Sequence, residues 1–187
     1  MGKLPALKRV TNMLVCGEDL GMVPDCVPGV MKELALLGLE VQRWPKGASG
    51  DFSAPAKAPF LSVVTPSTHD MSTIRGWWLE DRKMTQLFFN QELHQSGAAP
   101  RECEVWISRE IIRQHLQSPA MWSIFQLQDL LGIDQTMRNP DVAGERINVP
   151  AVPRHYWRYR MHLTLETLAR SEDFNWLVEN LVRECGR

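Results

Sequence analysis

Residues 12–44, NMLVCGEDLGMVPDCVPGVMKELALLGLEVQRW, contain a strand–helix–strand pattern that decides the fold class. NMLVC (12–16) is a short apolar run stopped by Gly17, the mark of a buried strand. Asp25 stands at the N-cap position of a helix read through residues 25–38. Within it Val27, Val30, Met31, Leu34 and Leu37 recur at helical spacing, and Gly38 takes the C′ position. LEVQRW (39–44) reads as a second strand, ended by Pro45. Two strands joined by a helix within about 30 residues form the βαβ unit of a parallel sheet, so the class is α/β.

Downstream, PKGASGDFSAPAKAP (45–59) is a loop by its Gly, Pro and Ala content, and FLSVV (60–64) is a third strand. The rest reads as largely helical. One helix is expected over 71–97 with Asp70 as a possible cap, and another over 102–117 with Val105, Ile107, Ile111, Ile112 and Leu116 on its apolar face. Ser118-Pro119 has the form of an N-cap and N1 pair opening a buried helix through 132. A fourth strand is expected at 146–149, and residues 155–170 lead into a terminal helix. At least one of Trp77 and Trp78 belongs in a core. A closed eight-stranded barrel takes about 250 residues. Three or four strands therefore make part of something larger.

Composition narrows the function. The chain has 187 residues, 44% hydrophobic, with a formal net charge of −1, which offers no electrostatic footprint for nucleic acid or anionic lipid. No apolar run approaches the 18 or so residues of a membrane span, and the N-terminal apolar stretch is too short for a signal peptide. Cys16, Cys26, Cys103 and Cys185 show neither CxxC pairing nor histidines at metal-ligand spacing. Scattered single cysteines suit a reducing compartment, and the cytoplasm is the expected location.

Glu18 follows the first strand, and His69 and Asp70 follow the third. In parallel α/β proteins the C-terminal strand ends share one face, where active-site residues gather. Two carboxylates there fit glycosidic bond cleavage, which uses a protonated acid for the leaving oxygen and an anion to support the oxocarbenium-like transition state. Acids after strands also commonly cap the next helix, so spacing alone leaves both readings open. For the adjacent Asp19, one reading is repulsion that raises the Glu18 pKa, and the other is a cap on the turn, with Gly17 and Gly21 permitting a tight bend.

Longer stretches are more specific. CGEDLGMVPDCVPGVMKELALLGLEVQRWPK (16–46), SVVTPSTHDMSTIRGWWLED (62–81), LQDLLGI (127–133) and ERINVPAVPRHYWRYRMHLTLETL (145–168) closely resemble the 4-α-glucanotransferases, or amylomaltases, of glycoside hydrolase family 77. The likeness runs from about residue 10 to 170, and is strongest to the long bacterial and plant-cytosolic branch with upstream starch-binding modules. It implies the C-terminal portion of a (β/α)8 TIM-type catalytic barrel with additional helices. Residues 1–187 would be barrel portion, with 1–11 a lead-in and 171–187 a terminal helix.

By the same resemblance Glu18 is the general acid/base, Asp70 the transition-state-stabilising carboxylate, and His69 a ligand of sugar hydroxyls. The family's nucleophile is an aspartate in an Arg-x-Asp-His-type motif, and these 187 residues contain no such motif. Glu18 and Asp70 are expected to open into one cleft, with carboxyl groups within about 10 Å. Trp44 is read either as a stacking surface for an acceptor glucose or as a core or rim-packing residue. Asn148 is expected to hydrogen-bond sugar, and Arg146 to be its structural neighbour. RHYWRYRMH (154–162) superficially suggests a nucleic-acid patch, but arginine–aromatic packing at a helix start is the preferred reading.

The expected partners are thus α-1,4-glucans and malto-oligosaccharides, with no metal, organic cofactor, nucleic acid or membrane. Two edges of a cut sheet predict self-association. The alternatives weighed are an α-glucan hydrolase, a catalytically silent glucan-binding or assembly module, and a metal-dependent hydrolase built on Glu18, Asp19, His69 and Asp70.

Overall fold

Four parallel strands form the sheet, in the order β1-β2-β3-β4: β1 (Cys16–Gly17), β2 (Leu37–Val41), β3 (Ser62–Thr65) and β4 (Trp122–Ser123). This computed structural model describes residues 2–18, 22–46 and 50–187. The chain divides into two compact units, one of residues 1–65 and 118–124, the other of residues 66–117 and 125–187.

The first unit contains the whole sheet. Gly38 pairs with Ser62 and Val41 with Thr65, while Val63 and Val64 pair with Trp122 and Ser123. All four residues of β3 are buried, as expected of a central parallel strand. β1 is shorter than the apolar run at 12–16 implies, and of that run only Cys16 lies in the ladder, although the Leu37 N–H still donates to the Val15 carbonyl at 2.9 Å. Helix α1 (Lys3–Arg9) occupies the lead-in, and α2 (Cys26–Glu33) connects β1 to β2. A Cβ on Gly17 would lie 3.1 Å from Met31 Cε, so this glycine lets α2 pack closely on the strand.

Helix α2 ends earlier than the sequence suggests. Asp25 precedes it but makes no side-chain cap bond. The Leu36 N–H reaches the Met31 carbonyl and the Ala35 N–H the Lys32 carbonyl, which is the Schellman closure. Its left-handed C′ residue is Ala35, at φ 49°, rather than Gly38, which lies inside β2. Glycine there was a sound expectation; here tertiary pairing of Gly38 with β3 claims the residue first.

The fourth strand also differs. Residues 146–149 are extended but belong to no ladder, and β4 comes instead from within the helix expected over 118–132. The Met121 N–H donates to the Phe60 carbonyl at 2.8 Å and the Ile124 N–H to the Val64 carbonyl at 3.0 Å. A short apolar run suits a strand as well as a helix, and the open edge of β3 decides between them; the expected burial fails here, since Trp122 and Ile124 are exposed.

The second unit is helical: α3 (Ile74–Glu80), α4 (Arg82–Gln91), α5 (Val105–Leu116), α6 (Leu127–Leu131), α7 (Leu165–Arg170) and α8 (Glu172–Glu184). The expected helix over 71–97 is two. Asp81 is extended and accepts from the Lys83 and Met84 N–H groups, which caps α4 and ends α3. Thr73, not Asp70, caps α3, accepting from the Gly76 N–H at 3.1 Å. Trp78 is wholly buried against Phe88, and its indole N–H donates to the Pro100 carbonyl at 3.0 Å. Ile107, Ile111 and Ile112 of α5 complete this core, and Phe174 and Leu181 are the buried residues of α8. Among the described residues no helix is long and apolar enough to cross a membrane.

Candidate functional site

In the first unit Glu18 follows β1 directly and is exposed to solvent. Asp19 and Gly21, with which the turn was read, lie outside the described residues. Trp44 sits in the turn after β2, where its N–H donates to the Val41 carbonyl at 3.0 Å, and its side chain is 72% exposed. At that exposure Trp44 is not a core residue.

The second unit holds the other carboxylate. Past β3 the chain turns through Ser67, whose hydroxyl donates to Asp129 Oδ2, while Asp129 Oδ1 accepts the Ile74 N–H at 2.7 Å. One buried acid thus fixes both sides of the 68–73 loop. Within that loop the Met71 N–H reaches the Thr68 carbonyl at 3.1 Å, and Gln126 Nε2 donates to the same carbonyl at 3.0 Å. His69 and Asp70 project from this braced turn with roughly half-exposed side chains, His69 Nε2 lying 3.4 Å from Asp70 Oδ1.

Asn148 completes the arrangement. Its Nδ2 donates to Asp70 Oδ1 at 2.6 Å, and its backbone N–H donates to the His69 carbonyl at 3.1 Å. The extended segment at 146–149 therefore spends its hydrogen bonds on the carboxylate loop rather than on a sheet. Arg146 holds Asn148 from behind: Nε donates to the Asn148 carbonyl at 3.0 Å, and a terminal nitrogen donates to the Ser72 hydroxyl at 2.9 Å and lies 3.3 Å from Glu80. That is the structural role expected for Arg146.

A buried ion pair anchors the same segment one residue earlier. Glu145, 2% exposed, takes a close contact from the Arg75 guanidinium and accepts the Thr73 hydroxyl at 2.8 Å. Arg75 also donates to the Asn139 carbonyl at 2.8 Å, and Gln128 Nε2 donates to the Glu145 carbonyl at 3.0 Å. Burial pushes the Glu145 carboxyl above its ordinary range, a rise that Thr73 and Arg75 only partly offset.

Sequence reasoning passed over Glu145, Arg75, Thr73 and Asp129. The available signal was weak: isolated charged residues inside otherwise apolar stretches, with partners 55 to 72 residues away. The aromatic segment was read in the wrong frame, because residues 155–163 are not a helix start; Thr164 caps α7. Arg158 does stack over Tyr156, at 5.8 Å from the ring centroid. Among the described residues no three His, Cys, Asp or Glu side chains gather as a metal-ion cluster.

What the arrangement offers is a fixed acceptor oxygen and an imidazole beside it on a turn after a parallel strand, with a carboxamide from the 146–149 segment holding that oxygen. The model of glycoside hydrolase family 77, 4-alpha-glucanotransferase, matches residues 3–165. The chain belongs to this family.

Among curated relatives, the 4-alpha-glucanotransferase DPE2 of Oryza sativa subsp. japonica is 40% identical over 184 residues, covering 98% of this chain and 20% of its own length. The 4-alpha-glucanotransferase of Chlamydia pneumoniae is 29% identical over 182 residues, covering 96% of this chain and 34% of its own length. The chain therefore spans only a fifth to a third of these relatives. Among solved structures, an amylomaltase from Streptococcus agalactiae in complex with acarbose superposes with a TM-score of 0.71 at 18% identity, over 98% of this chain and 34% of that one. It shares the α/β fold with its parallel sheet.

Proposed function

We propose that this chain is the acid/base-bearing part of a retaining 4-α-glucanotransferase, acting on α-1,4-glucans and malto-oligosaccharides. The observation that carries the reading is the Asp70 carboxylate, oriented by Asn148 and flanked by His69 on a braced turn. An oxocarbenium-like transition state needs an anion held in one orientation, and a carboxamide donating to one oxygen leaves the other available to sugar. The four parallel strands are taken as a portion of a (β/α)8 barrel, with Glu18 as its general acid/base and Asp70 as its transition-state-stabilising carboxylate.

In the reaction, Glu18 gives its proton to the glycosidic oxygen of the donor as a carboxylate attacks C1 and forms a glycosyl ester. That nucleophile belongs to the part of the relatives' length that these residues do not span. Glu18, now ionised, then takes the proton from the 4-hydroxyl of an acceptor sugar as this oxygen attacks C1 and releases the ester. Trp44, exposed beyond β2, is proposed to stack on an acceptor glucose. The four cysteines are thiols, which favours a reducing compartment such as the cytoplasm.

The test uses the complete enzyme and the isolated chain together. In the complete enzyme Glu18→Gln should lower maltotriose disproportionation by about 10²–10⁴-fold, the usual worth of general acid catalysis. The 187-residue chain alone should show no glucan transfer. Transfer by the isolated chain, or an undiminished Glu18→Gln enzyme, would overturn the assignment.

The isolated chain is also proposed to self-associate. β1 stands at the edge of the sheet, and its unit exposes Leu7, Val10, Met13, Leu14 and Met22. An open edge with exposed apolar side chains favours pairing with a second copy. Light scattering after size-exclusion chromatography should give a dimer or larger species, and a clean monomer at micromolar concentration would refute it.

A further inference from the structure

Beside the carboxylate turn stands an aromatic ring that the reaction above does not use. Trp157 is 60% exposed. Among the described residues, the rings in contact with it are two imidazoles. His69 lies 5.8 Å away, tilted by 48°, and His155 lies 6.3 Å away, nearly edge-on at 72°. Each imidazole is tied to the site. His69 immediately precedes Asp70, and the Nε2 of His155 shares a hydrogen bond with the Ile147 carbonyl at 2.8 Å, one residue before Asn148. The indole thus meets one imidazole on the loop that carries the carboxylate and one hydrogen-bonded to the segment that orients it.

An indole left this open does little for stability, since most of its apolar face remains in water. The arginine next to it stacks elsewhere, over Tyr156. Of its two ring neighbours, His69 carries the ring toward the site: its Nε2 lies 3.4 Å from Asp70 Oδ1, the oxygen that also accepts from Asn148 Nδ2. A pyranose has a two-part character, with C–H groups on its faces and hydroxyls around its edge. Small-ligand sites repeat this plan, an apolar or aromatic wall with a few fixed polar groups.

We propose that Trp157 is a sugar-stacking platform, taking one glucose ring of an α-1,4-glucan against its exposed face while hydroxyls of the same chain reach the Asp70 and His69 side. This rests on the glucan reading of Asp70 given above. The two imidazoles act as positioning residues, holding the indole plane so that little rotamer freedom is lost on binding.

The experiment follows the ¹⁵N-labelled 187-residue chain by NMR during titration with maltoheptaose, the Trp157 indole N–H being assigned from its absence in Trp157→Phe. Maltoheptaose should shift the Trp157 indole resonance together with those of His69 and the Asn148 carboxamide. Trp157→Ala should weaken binding roughly three- to tenfold, equivalent to about 0.7–1.4 kcal/mol. Trp157→Tyr, which keeps a flat aromatic face, should restore affinity to within about twofold of the parent. If maltoheptaose shifts His69 and Asn148 but not Trp157, and Trp157→Ala binds equally well, the platform is refuted while the glucan reading of Asp70 stands. If none of these resonances moves, both are refuted.

Discussion

Replacing Arg75 with methionine should destabilise the second unit by about 3–4 kcal/mol at pH 7, within the range for removing one partner of a buried ion pair. The substitution keeps the length of the side chain but removes the charge that faces Glu145, which is 2% exposed. Among the described residues, only the Thr73 hydroxyl would still donate to that carboxylate. The acid can escape the penalty by taking up a proton, which sets a ceiling. From an unfolded pKa of about 4.3, protonation at pH 7 costs about 3.7 kcal/mol at 1.36 kcal/mol per unit.

The same reasoning fixes a pH dependence. Burial already raises the Glu145 carboxyl above its ordinary value, and loss of Arg75 raises it further. An acid whose folded pKa lies above its unfolded one favours the folded state below the unfolded value and loses that advantage as pH rises through the folded value. The deficit of Arg75→Met should therefore shrink to roughly 1–2 kcal/mol by pH 5, where protonation alone costs about 1 kcal/mol. Arg75→Met with Glu145→Leu should recover most of the loss, because no uncompensated charge is left. Urea unfolding followed by circular dichroism at pH 5, 6 and 7 measures all of this. A loss below about 1 kcal/mol at pH 7, or one unchanged between pH 5 and pH 7, would refute the reasoning.

One further substitution and one reagent probe separate features. Ala35→Gly should raise stability by about 0.5–1 kcal/mol in the same urea assay, since an L side chain in the left-handed region costs about 1–2 kcal/mol and glycine's extra unfolded entropy offsets part of the gain. Ala35 is exposed, so no packing is lost with its methyl group. The Cys103 thiol is pushed up to about 12, chiefly by burial. Iodoacetamide at pH 8 should therefore modify the exposed Cys26 in the native chain but reach Cys103 only after unfolding, as read by peptide mass analysis. Fast native labelling of Cys103 would show that its surroundings open readily.

How much of this was legible follows from the range over which each feature is determined. Gly17 ends the first apolar run and Pro45 the second, and the apolar residues between them repeat at helical spacing, so the α/β class followed from neighbours in sequence. Trp122–Ser123 is a strand only because β3 lies beside it, and no two-residue pattern announces that. Asp81 is one of many acids in helical sequence, and its break in the helix depends on the backbone turning extended there. At the site, motif resemblance singled out Asp70 and Asn148 separately, yet their hydrogen bond spans 78 positions. The Glu145 anchor was hidden for the same reason: a buried acid is distinguished from a surface acid by its partners, not by its neighbours in sequence.

The two compact units are each discontinuous in sequence, and the chain passes between them three times, after residues 65, 117 and 124. This threading governs the order of assembly. β4 pairs with β3 across 56 intervening residues, and closing a flexible loop of that length costs roughly 3–4 kcal/mol of chain entropy beyond a constant. Helices formed within that interval shorten the effective loop and lower this cost, so the pairing of β4 with β3 is the most expensive in the sheet to close from an unstructured chain. Mechanical or proteolytic severing anywhere in 66–117 would uncouple β4 from β3 even if every sheet residue remained intact. On this reckoning the compaction of residues 66–117 sets the entropic cost of adding the last strand to the sheet.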